Sequence, residues 1–266
     1  MLTGVLGFPV AHSRSPEMQN AALRELGLDW RYVKLPVPPE LFDETVRALP
    51  GSGFRGANVT IPHKRAALAL ADERTPGAAT IGAANTLTFD DGRIEADNTD
   101  APGFLAALDE DPSGMRALVL GAGGAGRAVA WALREAGADV AVWNRTAERA
   151  VALADELGVR HAAQAEPSDL LVNATSVGLA PRLDQRGTIE ALGLAEVEPA
   201  PIVVDLVYAD GPTALLEWAA RAGSRTVDGL EVLVRQGALS LERWTGREAP
   251  LGTMRAALTS ATGRKP

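Results

Sequence analysis

Lys64, in the run Asn58-Val-Thr-Ile-Pro-His-Lys64, and Asp100, in Asp97-Asn-Thr-Asp100, have the side chains and settings best suited to moving a proton. A strand and a proline deliver the lysine to a helix start, where the positive end of the helix dipole disfavours an ammonium. A lysine base needs an orienting partner, and Asp100 at a strand-to-helix junction would hydrogen-bond both Lys64 and a substrate hydroxyl. The plainer reading makes Asp97 and Asp100 a turn and an N-cap for the following helix. Local chemistry leaves both open. His63, beside Lys64, is a second candidate acid, whereas His12 and His161 are expected to be incidental. Ser13 and Ser15, in His12-Ser-Arg-Ser-Pro16, pose the same choice: Ser15 is either a routine N-cap or half of a hydroxyl pair that binds a carboxylate.

The second chemical feature is Gly121-Ala122-Gly123-Gly124-Ala125-Gly126, set between an apolar strand and an Ala-rich helix. That context marks a dinucleotide site. Gly121 permits the tight turn, Gly123 lets backbone approach a pyrophosphate, and Gly126 lets helix and strand pack closely. The phosphates would sit on the unpaired N–H groups of the helix N-terminus. About 20 residues past the glycines, an NAD site carries an acidic residue for the ribose 2′-hydroxyl. Here the strand ends in Asn144-Arg145-Thr146, with Arg149 one turn further on. Guanidinium groups bind a 2′-phosphate that a carboxylate would repel, so NADP is favoured. The alternative is that Arg145 and Arg149 are merely the solvated start of a helix.

These groups need a scaffold, and the chain before residue 100 alternates strand-like and helix-like segments. Val5-Leu6, Trp30–Val37 and Gly56–Thr60 read as strands; Pro16–Leu26, Leu41–Leu49 and His63–Ala71 read as helices. Thr86 to Ile94 reads as a hairpin turning at Asp91-Gly92. Ala101–Leu108 is a connecting helix. Arg116–Leu120, the helix Ala125–Ala136 and Asp139–Trp143 open a second lobe, continued by strands at Asp169–Asn173, Ile202–Leu206 and Thr226-Val227. Ala180–Pro201 is expected to be loop plus a short helix, followed by helices at Thr213–Ala222, Leu230–Trp244 and Leu251–Leu258. The alternation predicts an α/β fold of two domains: an N-terminal α/β domain with a mostly parallel sheet, then a Rossmann-type domain.

At 266 residues and 46% hydrophobic the chain can bury full cores. A net charge of −8 argues against a nucleic-acid surface. The absence of cysteine removes disulfides and thiolate catalysis, and the three histidines lack metal-ligand spacing, so no metal is expected. Neither a signal-like start nor a long apolar run is present, so a cytoplasmic protein that does not contact membranes is expected.

Taken in order, the motifs resemble the shikimate dehydrogenase family. They are Gly4-Val-Leu-Gly-Phe-Pro-Val-Ala-His-Ser-Arg-Ser-Pro16, Asn58–Lys64, Gly82-Ala-Ala-Asn-Thr86 and Asp97–Asp100, then Gly121–Gly126, Asn144–Thr146, Asn173-Ala-Thr-Ser-Val-Gly178, Asp205-Leu-Val-Tyr208 and Gln236 with Trp244-Thr-Gly246. The resemblance implies reversible NADPH-dependent reduction of 3-dehydroshikimate to shikimate, with a quinate/shikimate dehydrogenase as the alternative and a non-catalytic NADP sensor as a remote one. It implies that Ser13 and Ser15 bind the substrate carboxylate with Tyr208 nearby. Thr60, Asn85, Asp100 and Gln236 would hold the ring hydroxyls, and Lys64 with Asp100 would form the catalytic pair. NADP would contact Gly121 to Gly126, Asn144, Arg145, Thr146 and Arg149. Leu206 would also contact it, and Thr175, Ser176, Val177 and Gly229 would border its nicotinamide. The implied domains are residues 1–102, completed by helices from about 238 to 266, and 103–237. The expected partner is the small-molecule substrate alone, in a monomer or homodimer. The chain departs from the family's usual residues at Gln19, where histidine is common, and at Asp210, Glu231 and Val232.

Overall fold

The structure is a computed structural model that describes residues 1–179, 183–209 and 211–261, the side chains of 260 and 261 excepted. Asp210 and the first residues of the expected 180–201 loop lie outside the described residues. The chain divides into two compact units, Met1–Gly103 with Leu233–Pro266, and Phe104–Val232.

In the first unit β1 (Leu2–Gly7), α1 (Ser15–Glu25), β2 (Arg31–Pro36), α2 (Phe42–Ala48), β3 (Phe54–Val59) and α3 (Lys64–Leu70) alternate as the sequence pattern requires. Then come β4 (Glu73–Arg74), α4 (Pro76–Ile81), the hairpin β5 (Thr86–Asp90) and β6 (Arg93–Asp97), and α5 (Asp100–Leu108). The sheet order is β2-β1-β3-β5-β6-β4. β1 pairs with β2 and β3 in parallel, β4 with β6 in parallel, and β5 runs antiparallel to both its neighbours. The hairpin turns at Asp91, which adopts φ of 46°, and Gly92. Leu6, Phe42, Val46, Ala57 and Leu87 are buried in one core against this sheet.

The second unit holds β7 (Arg116–Leu120), α6 (Gly124–Glu135), β8 (Asp139–Trp143), α7 (Ala147–Leu157), β9 (Arg160–His161), β10 (Leu170–Asn173), α8 (Gln185–Ala191), β11 (Ile202–Asp205), α9 (Ala214–Arg221) and β12 (Arg225–Asp228). All its strand pairs are parallel, in the order β12-β11-β10-β7-β8-β9. That order reverses direction at β7, so the loop after β7 opens at the switch point where doubly wound sheets bind ligands. β7, β10 and β11 are buried almost end to end, which is why they read as continuous apolar runs rather than alternating ones.

Two last helices, α10 (Gly229–Thr245) and α11 (Leu251–Ala261), close the chain. The second unit boundary falls inside α10, so Gln236, Ser240 and Trp244 belong to the first unit. Two glycines explain how α10 reaches the residues around Asp100. A Cβ on Gly103 would lie 2.6 Å from the backbone nitrogen of Gln236, so α5 and α10 meet there backbone to backbone. A Cβ on Gly56 would lie 2.1 Å from Nε1 of Trp244, which donates to the carbonyl of Leu87 at 3.0 Å.

Candidate functional site

Lys64 is the first residue of α3, and Asp100 the first of α5. Parallel β3 and the turn after it end next to the hairpin's exit, so two positions far apart in the chain meet. Lys64 Nζ donates to Asp100 Oδ2 at 2.6 Å, with the two side chains only 12% and 18% exposed. The capping reading of Asp100 fails, because Asn98 Oδ1 accepts from the N–H of Ala101 and takes that role. Asp97 is engaged otherwise, accepting from Thr75 Oγ1 at 2.6 Å and pairing with Arg243 at 3.1 Å. The other oxygen of Asp100, Oδ1, accepts from Asn85 Nδ2 at 2.8 Å. Asn85 Nδ2 also lies 3.1 Å from Oε1 of Gln236, so four of the expected ring-binding or catalytic side chains form one connected group. Thr60, half-buried, sits just before the turn that leads to Lys64, its carbonyl accepting from the N–H of His63.

His63 is not available as an acid. Its ring Nε2 lies 2.7 Å from the carbonyl of Val37, it stacks on Phe42 at 4.3 Å, and it is 2% exposed. His63 is the cap residue of α3 and Lys64 its first residue, so the two adjacent side chains leave the helix start in different directions. Ser13 and Ser15 are both buried at the entrance to α1. Arg14 occupies the cap position there and no side chain caps the helix, so the Ser15 hydroxyl is not spent as an N-cap. Ser13 Oγ accepts from the N–H of Ser15 at 3.3 Å. Gln19 is fully buried and donates to the carbonyl of Gly237 at 2.9 Å.

In the second unit Gly121 takes φ of +110° and donates to the carbonyl of Trp143 at 2.7 Å. Its Cβ would lie 2.9 Å from the carbonyl of Ala174, and a Cβ on Gly126 would collide with the carbonyl of Gly121 at 1.9 Å. Gly123 fills the cap position of α6 with no side-chain cap, and a Cβ there would meet nothing. Among the described residues no side chain caps α6, so the first N–H groups of the helix, at Gly124, Ala125 and Gly126, are left for an anion. Asn144 Oδ1 accepts from the N–H of Ala122, while its Nδ2 donates to the carbonyl of Thr146. Arg145 and Arg149 are exposed at the start of α7. This donor set, backbone N–H groups with two guanidiniums and no acid at the strand end, suits a dinucleotide bearing a 2′-phosphate.

Asp205 stands in one of the family-like motifs, but its role was not legible in the sequence. Asp205, 1% exposed, accepts from Thr213 Oγ1 at 2.6 Å, Asn173 Nδ2 at 2.8 Å and the N–H of Val207 at 3.0 Å. Through Asn173 it anchors the next loop, since Asn173 Oδ1 accepts from both the N–H and the hydroxyl of Thr175, and Thr175 Oγ1 accepts from the N–H of Val177. Gly229 packs its Cα against the same segment, where a Cβ would lie 2.6 Å from the carbonyl of Leu206. Ser176 is exposed, and Tyr208 is half-buried just past β11.

Burial pushes the Asp205 carboxyl up to about 6, the three hydrogen bonds pulling the other way. A carboxyl with a folded pKa above its unfolded one makes the protein most stable below the unfolded value. That stability is lost as pH rises from about 4 to about 6. The difference corresponds to something on the order of 3 kcal/mol. Asp205→Asn can keep Oδ1 on Asn173 and Val207 while its Nδ2 donates to Thr213. We expect its urea-unfolding midpoint to gain on the wild type as pH rises from 4 to 6.5. Parallel pH profiles for the two proteins would contradict this.

Three family profiles match the chain: the shikimate dehydrogenase substrate binding domain over residues 5–87, shikimate/quinate 5-dehydrogenase over 106–179, and the shikimate 5′-dehydrogenase C-terminal domain over 229–259. A curated relative, the NADP(+) shikimate dehydrogenase of Methanopyrus kandleri, is 45% identical, with 97% of this chain and 94% of that protein covered. The chain belongs to the shikimate dehydrogenase family. A family member from Thermus thermophilus, solved in complex with NADP(H) and shikimate, is 43% identical with a TM-score of 0.85, covering 98% of this chain and 99% of that one. The ligand-free 5-ketofructose reductase of Gluconobacter sp. strain CHM43 is 32% identical with a TM-score of 0.82, covering 98% of each chain. The shikimate dehydrogenase fold thus also carries an enzyme named for a different substrate. Residue roles in this chain must accordingly rest on its own geometry.

Proposed function

We propose that this protein is an NADP-dependent shikimate dehydrogenase, catalysing the reversible reduction of 3-dehydroshikimate to shikimate. The observation that carries the catalytic assignment is the Lys64–Asp100 pair at 2.6 Å, with the second carboxylate oxygen held by Asn85. The unit of Met1–Gly103 with Leu233–Pro266 would hold the substrate and the proton-transfer groups, and that of Phe104–Val232 the cofactor. The Gly121–Gly126 loop, Arg145, Arg149 and Leu206 would hold NADP, with Thr175–Val177 and Gly229 bordering its nicotinamide, and the bound cofactor would supply or accept the hydride.

The chain's own residues do the rest. In the reducing direction Lys64 gives a proton from its ammonium to the carbonyl oxygen as that oxygen becomes a hydroxyl, and in oxidation the neutral amine takes it back. Asp100 keeps the ammonium in place and accepts from the substrate hydroxyl. Asn85, Gln236 and Thr60 orient the ring through its hydroxyls. The buried hydroxyls of Ser13 and Ser15 receive the substrate carboxylate.

Among the described residues no helix is long and apolar enough to cross a membrane. We expect the protein to work in the cytoplasm, as a monomer or homodimer, within aromatic amino-acid biosynthesis. The decisive experiment follows reduction of NADP and of NAD by absorbance, with shikimate and with quinate. Reduction of NADP by shikimate is expected to dominate. Comparable turnover of quinate would favour a broader quinate/shikimate dehydrogenase. A folded protein that binds NADP yet oxidises neither ring would sink the assignment.

A further inference from the structure

Asn173, the last residue of β10, is fully buried and takes no part in the proposed chemistry. The segment that follows it lies against the glycine loop. A Cβ on Gly121 would stand 2.9 Å from the carbonyl oxygen of Ala174 and 3.1 Å from Cγ2 of Thr175. β7 and β10 are neighbouring parallel strands, so both loops leave the same edge of the sheet, at its switch point. Ala174 is still tied to the neighbouring strand, its N–H donating to the carbonyl of Leu120 at 2.8 Å. Thr175, Ser176 and Val177 lie past that last tie.

What holds those three residues is the Asn173 side chain. The N–H of Thr175 donates to Asn173 Oδ1 at 3.0 Å, and the Thr175 hydroxyl donates to the same oxygen at 2.7 Å. Asn173 Nδ2 donates to the carbonyl of Val177 at 3.3 Å and to Asp205 Oδ1 at 2.8 Å. The N–H of Val177 closes the ring on Thr175 Oγ1 at 3.0 Å. Among the described residues the Thr175 N–H and the Val177 carbonyl have no other partner. A backbone N–H only donates and a backbone carbonyl only accepts, so the amide has one orientation and uses both its protons. Aspartate would accept from Thr175 but has no proton for Val177, and it would set a second charge against Asp205. Alanine does neither.

We propose that Asn173 is a positioning residue for hydride transfer: its amide bridges Thr175 to Val177 and so fixes the segment against which a nicotinamide would lie. The inference rests on the reading of Thr175–Val177 as the border of the nicotinamide. Taking the amide away leaves the Thr175 N–H and the Val177 carbonyl to water alone. The other end of the cofactor site keeps its bonds, Gly121 to the carbonyl of Trp143 and Asn144 to Ala122 and Thr146. Asp205 keeps Val207 and Thr213, so an alanine at 173 leaves no buried carboxylate without donors and the variant should fold. The expected damage is a misplacement confined to the nicotinamide end.

The test reads the two ends of the cofactor separately in Asn173→Ala. The single-turnover rate of NADP reduction, at saturating NADP and shikimate, is expected to fall about ten- to a hundredfold, as a misplaced reactant makes it do. Adenosine 2′,5′-bisphosphate, which carries the 2′-phosphate and lacks the nicotinamide, should bind with the wild-type Kd in a titration, and so should shikimate. An unchanged rate would overturn the proposal. A loss of bisphosphate affinity as large as the loss of rate would overturn it too, by showing general damage to the unit. Should Asn173→Ala not fold, Thr175 carries the same question. Thr175→Ser keeps the hydroxyl between Asn173 and Val177 and should stay close to the wild-type rate, whereas Thr175→Val, which keeps the volume, should lower it; equal rates in the two would overturn the proposal. A wild-type protein that does not bind the bisphosphate would refute the cofactor reading itself, and the proposal with it.

Discussion

Replacing Lys64 by alanine is expected to lower turnover by about 10²–10⁴-fold while leaving shikimate binding nearly unchanged, as removal of a proton-transfer group does. The reason lies in what each neighbour can still do. Asn85 remains on Asp100 and Gln236 remains beside Asn85, so the ring-binding side chains keep their places. What disappears is the one group in that cluster able to give a proton to a carbonyl oxygen and recover it. Lys64→Arg sharpens the point. A guanidinium pairs well with a carboxylate but does not give up its proton near neutral pH, so it should restore the ion pair and not the rate. The measurement is the pair of kinetic constants kcat and KM for shikimate. A rise in KM at unchanged kcat would make Lys64 a binding residue, and an active Lys64→Arg would make it an electrostatic one.

The second large effect is expected from one methyl group on Gly103. In a solvent-exposed helix a Gly→Ala change would add about 1 kcal/mol of stability. Here the new Cβ would lie 2.6 to 2.7 Å from the nitrogen, Cα and Cβ of Gln236. Backbone atoms cannot swing aside as a side-chain tip does, so α10 must move away from α5. Overpacking of this kind costs about 1–3 kcal/mol and outweighs the propensity gain. The displaced helix carries Gln236, Ser240 and Trp244, so shikimate affinity should fall together with stability. Urea unfolding and a shikimate titration check the two halves of this expectation. A Gly103→Ala protein more stable than wild type would show that the helices do not meet so closely.

Much of this was legible before the fold. The loop at Gly121 reads correctly because each glycine answers a local steric demand: φ of +110° at Gly121 and the near-contact at Gly126 are both consequences of a strand turning directly into a helix. The apolar runs at Arg116–Leu120 and Ile202–Asp205 announce strands covered on both faces. Short elements were harder. α4 carries its signals, with Thr75 as cap, Pro76 at the first turn and Gly82 left-handed after the end, but six residues are too few to show a period. β4 and β9 are two residues each and polar, held in place by the neighbouring strand rather than by their own pattern.

The sequence by itself determined the two α/β units, the glycine loop with its basic strand end, and Lys64 and Asp100 as candidates, because these depend on periodicity, turn chemistry and residue type along short stretches. It left undecided whether Asp100 caps a helix or partners a lysine, whether Ser15 is spent on α1, and whether His63 shares the site. Those answers required the folded chain: Asn98 taking the cap, Val37 and Phe42 claiming His63, and Arg14 standing at the cap position of α1. A side chain's chemistry is set by which partners compete for its protons, and only the tertiary structure decides who those partners are.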